Sequence, residues 1–479
     1  MKCKLTNRSL IRRIPANEKA KQLIAKINDI MKSMHTNDVT DLNELVYAAA
    51  LTIEEEMIEK KKGFDRPNNL PPWKRRLMSS IETLRKDVNR LMAFKKNEGR
   101  LHRTVYEKYH LYTQGINHAI EDAKQRLIAL SSRLRRYEAR NEQFKINALF
   151  RTNQRKVFKN FRNERKNEER EIPNREETKD FWEKLWSKPA RHNEAASWIS
   201  DLEEDTRNIP RQQKIIITEG DVRNKIAGMA NWKAPGHDKV QTFWLKKFTS
   251  VHKMLAHQFN NLIKHPQNIP QWLVKGRTVL IRKNPEAQPT PDNYRPITCL
   301  PTIWKVFTGI LANKIMEHAQ KNQILCHEQK GIRPAARGTK DQLAIDRTVA
   351  MDNKSRHTNL TMAWIDYKKA YDSIPHSWIL RCLQLYKIDE NIQAVIHQSM
   401  KLWKTTLTHD KEEIADIQIR RGIFQGDALS PLLFCLALNP LSHILRKEGK
   451  EYTMKSGEKI NHLLYMDDLK LYIVRKRTE

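Results

Sequence analysis

The stretch His462-Leu-Leu-Tyr-Met-Asp-Asp-Leu-Lys-Leu-Tyr-Ile-Val474 decides how the chain is read. Apolar residues run up to Tyr465-Met466-Asp467-Asp468 and resume at once as Leu469, Leu471, Tyr472, Ile473 and Val474. That pattern predicts a β-hairpin whose tight turn carries two adjacent carboxylates. Like charges held close in a poorly solvated place repel. A divalent cation removes that penalty, because Mg²⁺ takes hard oxygen ligands, commonly one or two carboxylates together with substrate phosphates. A solvated turn accounts for the same two aspartates equally well, since aspartate suits turns. On these residues alone the two readings are level, and the rest of the chain has to separate them.

Composition narrows the choice. Across 479 residues, 88 Lys and Arg stand against 56 Asp and Glu, a net charge of +32, which suits a polyanionic partner through release of condensed counterions. No apolar run is long enough to span a bilayer: Leu429 to Leu441 is short and holds Pro431 and Pro440, so no membrane partner is expected. The start, MKCKLTNRSLIRRIP, lacks the apolar core of a signal peptide. Cys3, Cys299, Cys326, Cys382 and Cys435 are scattered, with no C-x-x-C pair, which fits a reducing compartment and argues against a disulfide framework or a zinc finger. There is no Walker-type phosphate loop and no H-E-x-x-H, which weighs against ATPase and zinc-protease chemistry.

Residues 1–170 are expected to be helical and basic. Ile116, Ile120, Ala123, Leu127, Leu130, Leu134 and Tyr137 recur at alternating spacings of four and three, and Ile81, Leu84, Val88 and Leu91 offer an antiparallel partner. The opposite faces carry Arg133, Arg135, Arg136, Arg140, Arg151, Arg155, Lys156, Lys159, Arg162 and Lys166. A run of charge is usually a solvated helix face. Phe144, Phe150, Phe158 and Phe161 are interleaved with it, a mixture that base stacking beside phosphate contacts would use. Residues 171–210 form a connecting segment punctuated by Pro173, Pro189 and Pro210, with Phe181, Trp182, Leu185, Trp186 and Trp198 expected to dock on a neighbouring core.

From about residue 211 to 479 short apolar runs alternate with helices, predicting an α+β domain. Ile215-Ile-Ile-Thr218 and Asp221 lead into Asn231-Trp-Lys-Ala-Pro-Gly-His-Asp238, where Pro-Gly marks a turn. Thr278–Lys283 and Tyr294–Leu300 are expected strands joined by a Pro-rich loop, and they deliver Lys283 and Arg295. Leu360-Thr-Met-Ala-Trp-Ile-Asp366 is an apolar strand, expected to be buried on both sides, that ends in an acid with no evident structural purpose. The next acid, Asp372, or Ser373 beside it, is expected to cap the helix that carries Trp378, Ile379, Cys382, Leu383 and Tyr386 on one face. In Arg420-Arg-Gly-Ile-Phe-Gln-Gly-Asp-Ala-Leu-Ser-Pro431, Ser430-Pro431 opens a further apolar helix, and Gln425-Gly426 goes beyond what a plain junction needs.

Two-metal phosphoryl transfer brings carboxylates from separate elements onto ions about 3.5–4 Å apart. Asp366 on one strand with Asp467-Asp468 on a hairpin supplies such a set. The ordered blocks K-A-P-G-x-D, N-Y-R-P-I-T-C-L, A-x-x-R-G-T-x-D-Q-L, D-Y-K-K-A-Y-D, F-Q-G-D-A-L-S-P-L-L-F and Y-M-D-D resemble the reverse transcriptases of non-long-terminal-repeat (LINE-type) retrotransposons, over residues 211–479.

The resemblance implies an RNA-directed DNA polymerase with right-hand fingers and palm, working with two Mg²⁺ (Mn²⁺ an alternative), an RNA template, a DNA primer or target, and deoxynucleotides. Asp366, Asp467 and Asp468 would hold the metals, with the Tyr367 carbonyl assisting. Lys283 and Arg295 match cations that hold the incoming triphosphate. Tyr371 matches the aromatic that screens the sugar 2′ position, and Gln425 and Gly426 match the loop that positions nucleotide and template. Nuclear and cytoplasmic locations are implied as well. The chain departs from the family pattern at Gly331-Ile332 and at Pro334-Ala335-Ala336, which are fingers positions. The sequence as given stops at Glu479, so a thumb is expected to be absent. The competing reading is a non-catalytic nucleic-acid-binding fragment. Group II intron maturases and telomerase-like polymerases share the chemistry, but the K-A-P-G block and the long basic N-terminal region favour the LINE type.

Overall fold

The structure is a computed structural model that describes residues 8–57, 71–96, 103–111, 115–152, 174–284, 286–334, 336–409 and 412–474. Contacts between Cα atoms divide the chain into a larger unit, residues 1–60 with 172–479, and a smaller one, residues 61–171.

The smaller unit pairs two long helices, Pro72–Lys95 and Ile116–Thr152, as the apolar spacing predicts. Trp73 meets Tyr137 edge-on at 4.6 Å and Lys74 pairs with Glu138 at 2.8 Å, which makes the helices antiparallel. Val88, Leu91, Ala119, Ile120 and Ala123 close the small core together with Val105 and Tyr109 of the intervening segment. Arg133, Arg135, Arg136, Arg140 and Arg151 are exposed on the second helix, and so is Phe144. Arg155, Lys156, Phe158, Lys159, Phe161, Arg162 and Lys166 lie outside the described residues.

The expected single region 1–170 does not hold together as one body. Helices Glu18–Lys32 and Val39–Met57 pack instead in the core of the larger unit, where Met31, Leu42, Val46 and Ile53 join Trp182, Trp244 and Phe307. The reason is polar as well as apolar. Asp238, the last residue of the K-A-P-G-x-D block, is wholly buried and accepts the Asn43 side-chain amide at 3.1 Å. Arg8 donates to the Asp238 carbonyl at 3.2 Å and also bonds the Asn43 side chain, while Gln241 donates to the Ile11 carbonyl at 3.0 Å. Burial pushes the Asp238 carboxyl up to about 6, against the pull of Asn43 and Arg8. Gly236 lies against Leu300–Pro301 so closely that a Cβ would overlap the Pro301 backbone.

The larger unit is mixed helix and sheet. Four strands, β1 (Lys275–Arg282), β2 (Tyr294–Cys299), β4 (Lys404–His409) and β5 (Glu412–Gln418), form one sheet in the order β2-β1-β4-β5. The β1–β2 and β4–β5 pairs are antiparallel and β1–β4 is parallel. Three more strands, β3 (Leu360–Ile365), β8 (His462–Tyr465) and β9 (Asp468–Val474), form a second sheet in the order β3-β9-β8, antiparallel throughout. A two-stranded ribbon, β6 (Tyr452–Thr453) with β7 (Lys459–Ile460), packs nearby through Tyr452 and Ile460.

Helix Ser430–Lys447 begins at the expected Ser-Pro and buries Leu432 to Ala437. The connecting segment docks as expected, with Trp182 and Trp186 of helix Arg175–Trp186 in the main core and Trp198 against Trp378 at 5.3 Å. Cys326, Cys382 and Cys435 are buried free thiols and Cys299 is a partly buried one; Cys3 lies outside the described residues. Among the described residues no helix is long and apolar enough to cross a membrane.

One expectation about β3 fails. Among the described residues it is an edge strand bonded to β9, and Trp364 and Ile365 are 70% and 37% exposed. Its Met362 and Leu360 pack under Ile345 and Val349 of helix Thr339–Arg356, which covers one face. An apolar run signals burial but leaves unsaid whether one face or two are covered.

Candidate active site

The hairpin forms as predicted, with Tyr465 paired to Asp468 across a two-residue turn of Met466 and Asp467. On the other side of β9, Ile365 pairs with Leu469. Strand register therefore sets Asp366, the residue after Ile365, beside the Asp467-Asp468 turn. Asp366 and Asp468 are exposed and Asp467 is half-buried. Burial lifts the Asp468 carboxyl above its ordinary range, and the negative fields of Asp467 and Asp366 lift it further. The three acids thus share one electrostatic site. Among the described residues, no three His, Cys, Asp or Glu side chains are already gathered to hold an ion unaided. The donor set still fits a hard cation, because Mg²⁺ completes its shell with water and substrate oxygens.

A short segment, residues 366–369, leads away from β3 into a single helical turn, Ala370–Ser373. Tyr367 follows Asp366 half-buried. Lys369 has a left-handed backbone (φ +54°) and donates its ammonium to the Tyr294 carbonyl of β2 at 3.0 Å. The same ammonium sits 4.3 Å from the centroid of the Trp182 ring. Burial and the nearby Lys283 push it down to about 8, against the pull of Asp372. Tyr371 stacks on Phe434 with centroids 4.6 Å apart and an interplanar angle of 7°. Burial raises its hydroxyl pKa, with Cys435 and Asp467 adding to the rise, so the ring borders the acidic turn.

Asp372 is not a cap. The helix His376–Leu385 starts after Pro375 with no side-chain cap, and the Ser373 hydroxyl donates back to the Lys369 carbonyl. Asp372 is buried instead, accepting the Trp186 indole N–H at 3.2 Å and the Gln425 amide at 3.4 Å. Burial pushes it up to about 6, opposed by the Trp186 bond, Lys369 and Lys283.

The loop of residues 421–427 lies along this segment. Gly422 N–H donates to the Ile374 carbonyl and Ile423 N–H to the Tyr371 carbonyl. The Gln425 carbonyl accepts the Thr298 N–H at 2.8 Å, which ties the loop to β2. Gly426 has φ +137° and its missing Cβ would fall on the Thr298 carbonyl, so glycine is required there twice over. Asp427 is buried, accepting the Trp304 indole and the Leu429 N–H. Lys283 and Arg295 are both exposed near the β1–β2 connection, with Arg295 facing Ile281 across the pair.

Strand register thus gathers Asp366, Asp467 and Asp468, with Tyr371 beside them, while Gln425 and Gly426 bind the adjoining loop to β2. Lys283 reaches this group only through its field on Lys369 and Asp372, and Arg295 has no contact with the acids. Two groups at the site were not legible in the sequence. Lys369 is one of several lysines in a basic chain, and no local pattern points to its aromatic partner near residue 182. Gln329, which holds the acidic turn from a distant loop, likewise sits in a stretch without periodicity; only the glycine two residues later hints at a close approach.

Residues 281–478 match the family described as "Reverse transcriptase (RNA-dependent DNA polymerase)". This part of the chain is a reverse transcriptase domain, and the chain is similar to proteins of non-long-terminal-repeat retrotransposons. It is 31% identical over 226 residues to the Retrovirus-related Pol polyprotein from type-1 retrotransposable element R2 of Nasonia vitripennis, covering 47% of this chain and 21% of the relative. Over 257 residues it is 28% identical to the Pol polyprotein from type-2 retrotransposable element R2DM of Drosophila melanogaster, 53% of this chain and 23% of the relative. It is 22% identical over 271 residues to the RNA-directed DNA polymerase from mobile element jockey of Drosophila melanogaster, 54% of this chain and 28% of the relative. The matched regions thus span about a fifth to a quarter of the length of these relatives.

Proposed function

We propose that the chain is an RNA-directed DNA polymerase of a LINE-type retrotransposon, adding deoxynucleotides to a DNA 3′ end on an RNA template. The observation that carries this reading is the register of β3, β9 and β8, which sets Asp366 beside Asp467 and Asp468. In this reading the four-stranded sheet belongs to the fingers and the three-stranded sheet to the palm. The three carboxylates and the Tyr367 carbonyl would hold two Mg²⁺ ions, which would supply charge stabilisation and activation of the primer hydroxyl.

The chain's own groups do the rest. Lys283 and Arg295 hold the triphosphate from the β1–β2 side. Tyr371, fixed by its stack on Phe434, presents a rigid wall to the sugar 2′ position. Gln425 and Gly426, tied to Asp372 and Thr298, keep backbone close to nucleotide and template. The exposed arginines of helix Ile116–Thr152 add phosphate contacts to RNA or DNA. Free buried thiols accord with an intracellular, nuclear and cytoplasmic setting.

Primer extension on an RNA template with Mg²⁺ tests the assignment. Asp366→Asn and Asp467→Asn are expected to lower extension by about 10³-fold or more, as loss of several kcal/mol of charge stabilisation requires, while nucleic-acid binding changes little. Near-normal extension by Asp467→Asn would remove the assignment. Tyr371→Val is expected to raise ribonucleotide incorporation relative to deoxynucleotide; an equal fall in both would make Tyr371 a packing residue.

A further inference from the structure

The turn that carries Asp467 is held in an uncomfortable shape. Its first residue, Met466, has φ +57°, a left-handed conformation that a bulky L-residue rarely adopts. Glycine or asparagine is the ordinary choice for such a position. Something outside the hairpin must keep Met466 there.

Gln329 fits that role. It is 4% exposed, and both ends of its amide are spent on the two backbone groups of this one residue. Its Oε1 accepts the Met466 N–H at 2.9 Å, and its Nε2 donates to the Met466 carbonyl at 3.2 Å. The same Oε1 accepts the Gly331 N–H at 2.9 Å, which fixes the rotamer of the side chain.

The backbone that delivers Gln329 is equally constrained. Gln329 forms a parallel bridge with Leu464, Lys330 N–H donates to the Leu464 carbonyl at 3.0 Å, and Leu464 N–H donates to the Glu328 carbonyl at 3.2 Å. Gln342, from helix Thr339–Arg356, donates to both carbonyls, Glu328 at 2.9 Å and Leu464 at 2.6 Å. Close by, Gly331 leaves room for the Met466 side chain: a Cβ there would stand 2.5 Å from the Met466 sulfur.

We propose that Gln329 is a positioning residue for the reaction, whose amide imposes the left-handed turn that points Asp467 at the site shared with Asp366. It touches neither substrate nor metal and acts through Met466. The inference rests on the polymerase reading of that site. A buried glutamine that merely satisfied its own polar atoms would not need to bond both backbone groups of a strained residue. The result is a turn set from outside the hairpin, with its geometry fixed before substrate arrives.

The test uses the full 479-residue chain in primer extension on an RNA template with Mg²⁺. Gln329→Leu, similar in size and unable to hydrogen-bond, is expected to lower kcat by about 10- to 100-fold, with KM for deoxynucleotide and template binding little changed. Gln329→Glu keeps the acceptor and loses the donor, and is expected to fall between. Met466→Gly removes the backbone strain, so Gln329→Leu is expected to cost at least five-fold less in that background, about the loss that coupled neighbours show. A readout free of turnover is the ¹³C-methyl NMR signal of Met466, expected as a single line in the parent and broadened or split in Gln329→Leu. Wild-type turnover by Gln329→Leu overturns the inference. So does an equal loss in both backgrounds, or an unchanged Met466 signal. Asp467→Asn run alongside separates the failures: if it extends normally, the polymerase reading falls and takes this inference with it. If it is dead while Gln329→Leu is normal, only the role of Gln329 falls.

Discussion

In the four-stranded sheet, the Thr278 hydroxyl sits fully buried between those of Thr298 and Thr405, at 2.8 and 2.7 Å. In the three-stranded sheet, Trp364 of the edge strand is 70% exposed, with the Lys470 ammonium 4.2 Å from its ring centroid. The middle of the first sheet, along β1 and β4, is largely buried, whereas the edge strand of the second presents a working surface. Burial along the middle of the first sheet lets it carry hydroxyls that are matched to one another. Openness lets the second hold three carboxylates close together, with the Asp468 carboxyl raised by its two acidic neighbours. Stability is therefore expected to reside in the sealed part, and chemistry in the open one.

Three measurements bear on that contrast, beginning with the largest effect on stability. Asp238 belongs to the sealed core, and its folded pKa of about 6 lies above its unfolded value. Below the unfolded pKa the proton is on in both states and the native state loses nothing. Between that value and about 6 the unfolded chain releases the proton while the native chain keeps it, so rising pH takes stability away, and above about 6 the loss is complete. Unfolding of wild type and Asp238→Asn across pH 3 to 8 should therefore give a difference that moves against wild type by on the order of 1–3 kcal/mol as pH rises. A flat difference would mean that Asp238 is ionised in the fold at no cost.

Thr278→Val comes next. It strips a hydroxyl that both neighbouring threonines use, and is expected to cost about 1–3 kcal/mol in denaturant unfolding. Primer extension by the folded variant should be close to normal. Trp364→Ser, on the open sheet, is expected to cost no more than about 1 kcal/mol, the scale of an exposed cation–π contact. A larger loss for Trp364→Ser than for Thr278→Val would reverse the contrast.

Much of the open sheet was legible in the sequence, because short motifs impose their own geometry. The alternation around Asp467-Asp468 gave the hairpin, the apolar run to Asp366 gave its partner strand, and Ser430-Pro431 gave a helix start. The antiparallel helices around Leu91 and Ile120 followed from spacing alone. What escaped was long-range. The edge position of β3 depends on which strands lie beside it, and Asp372 looked like a cap because its true partner, the Trp186 indole, lies 186 residues away. The N-terminal helices were grouped with the basic region because their charge resembles it, whereas Asn43 and Arg8 tie them to Asp238. Gln329 and Lys369 were missed for the same reason, since each acts on a segment far away in the chain.

The Lys369 ammonium, lodged between the Tyr294 carbonyl and the Trp182 ring, has a consequence for how this protein can be cut. The match to the reverse transcriptase family begins at residue 281, inside β1 (Lys275–Arg282), the strand that joins β2 to β4. A fragment started at that border would split a central strand and discard Trp182 and Trp186, leaving Lys369 without its aromatic seat and Asp372 without its indole donor. The border of the family match is thus not the border of an autonomous folding unit. Segments outside that match can still be the masonry on which the acidic site stands.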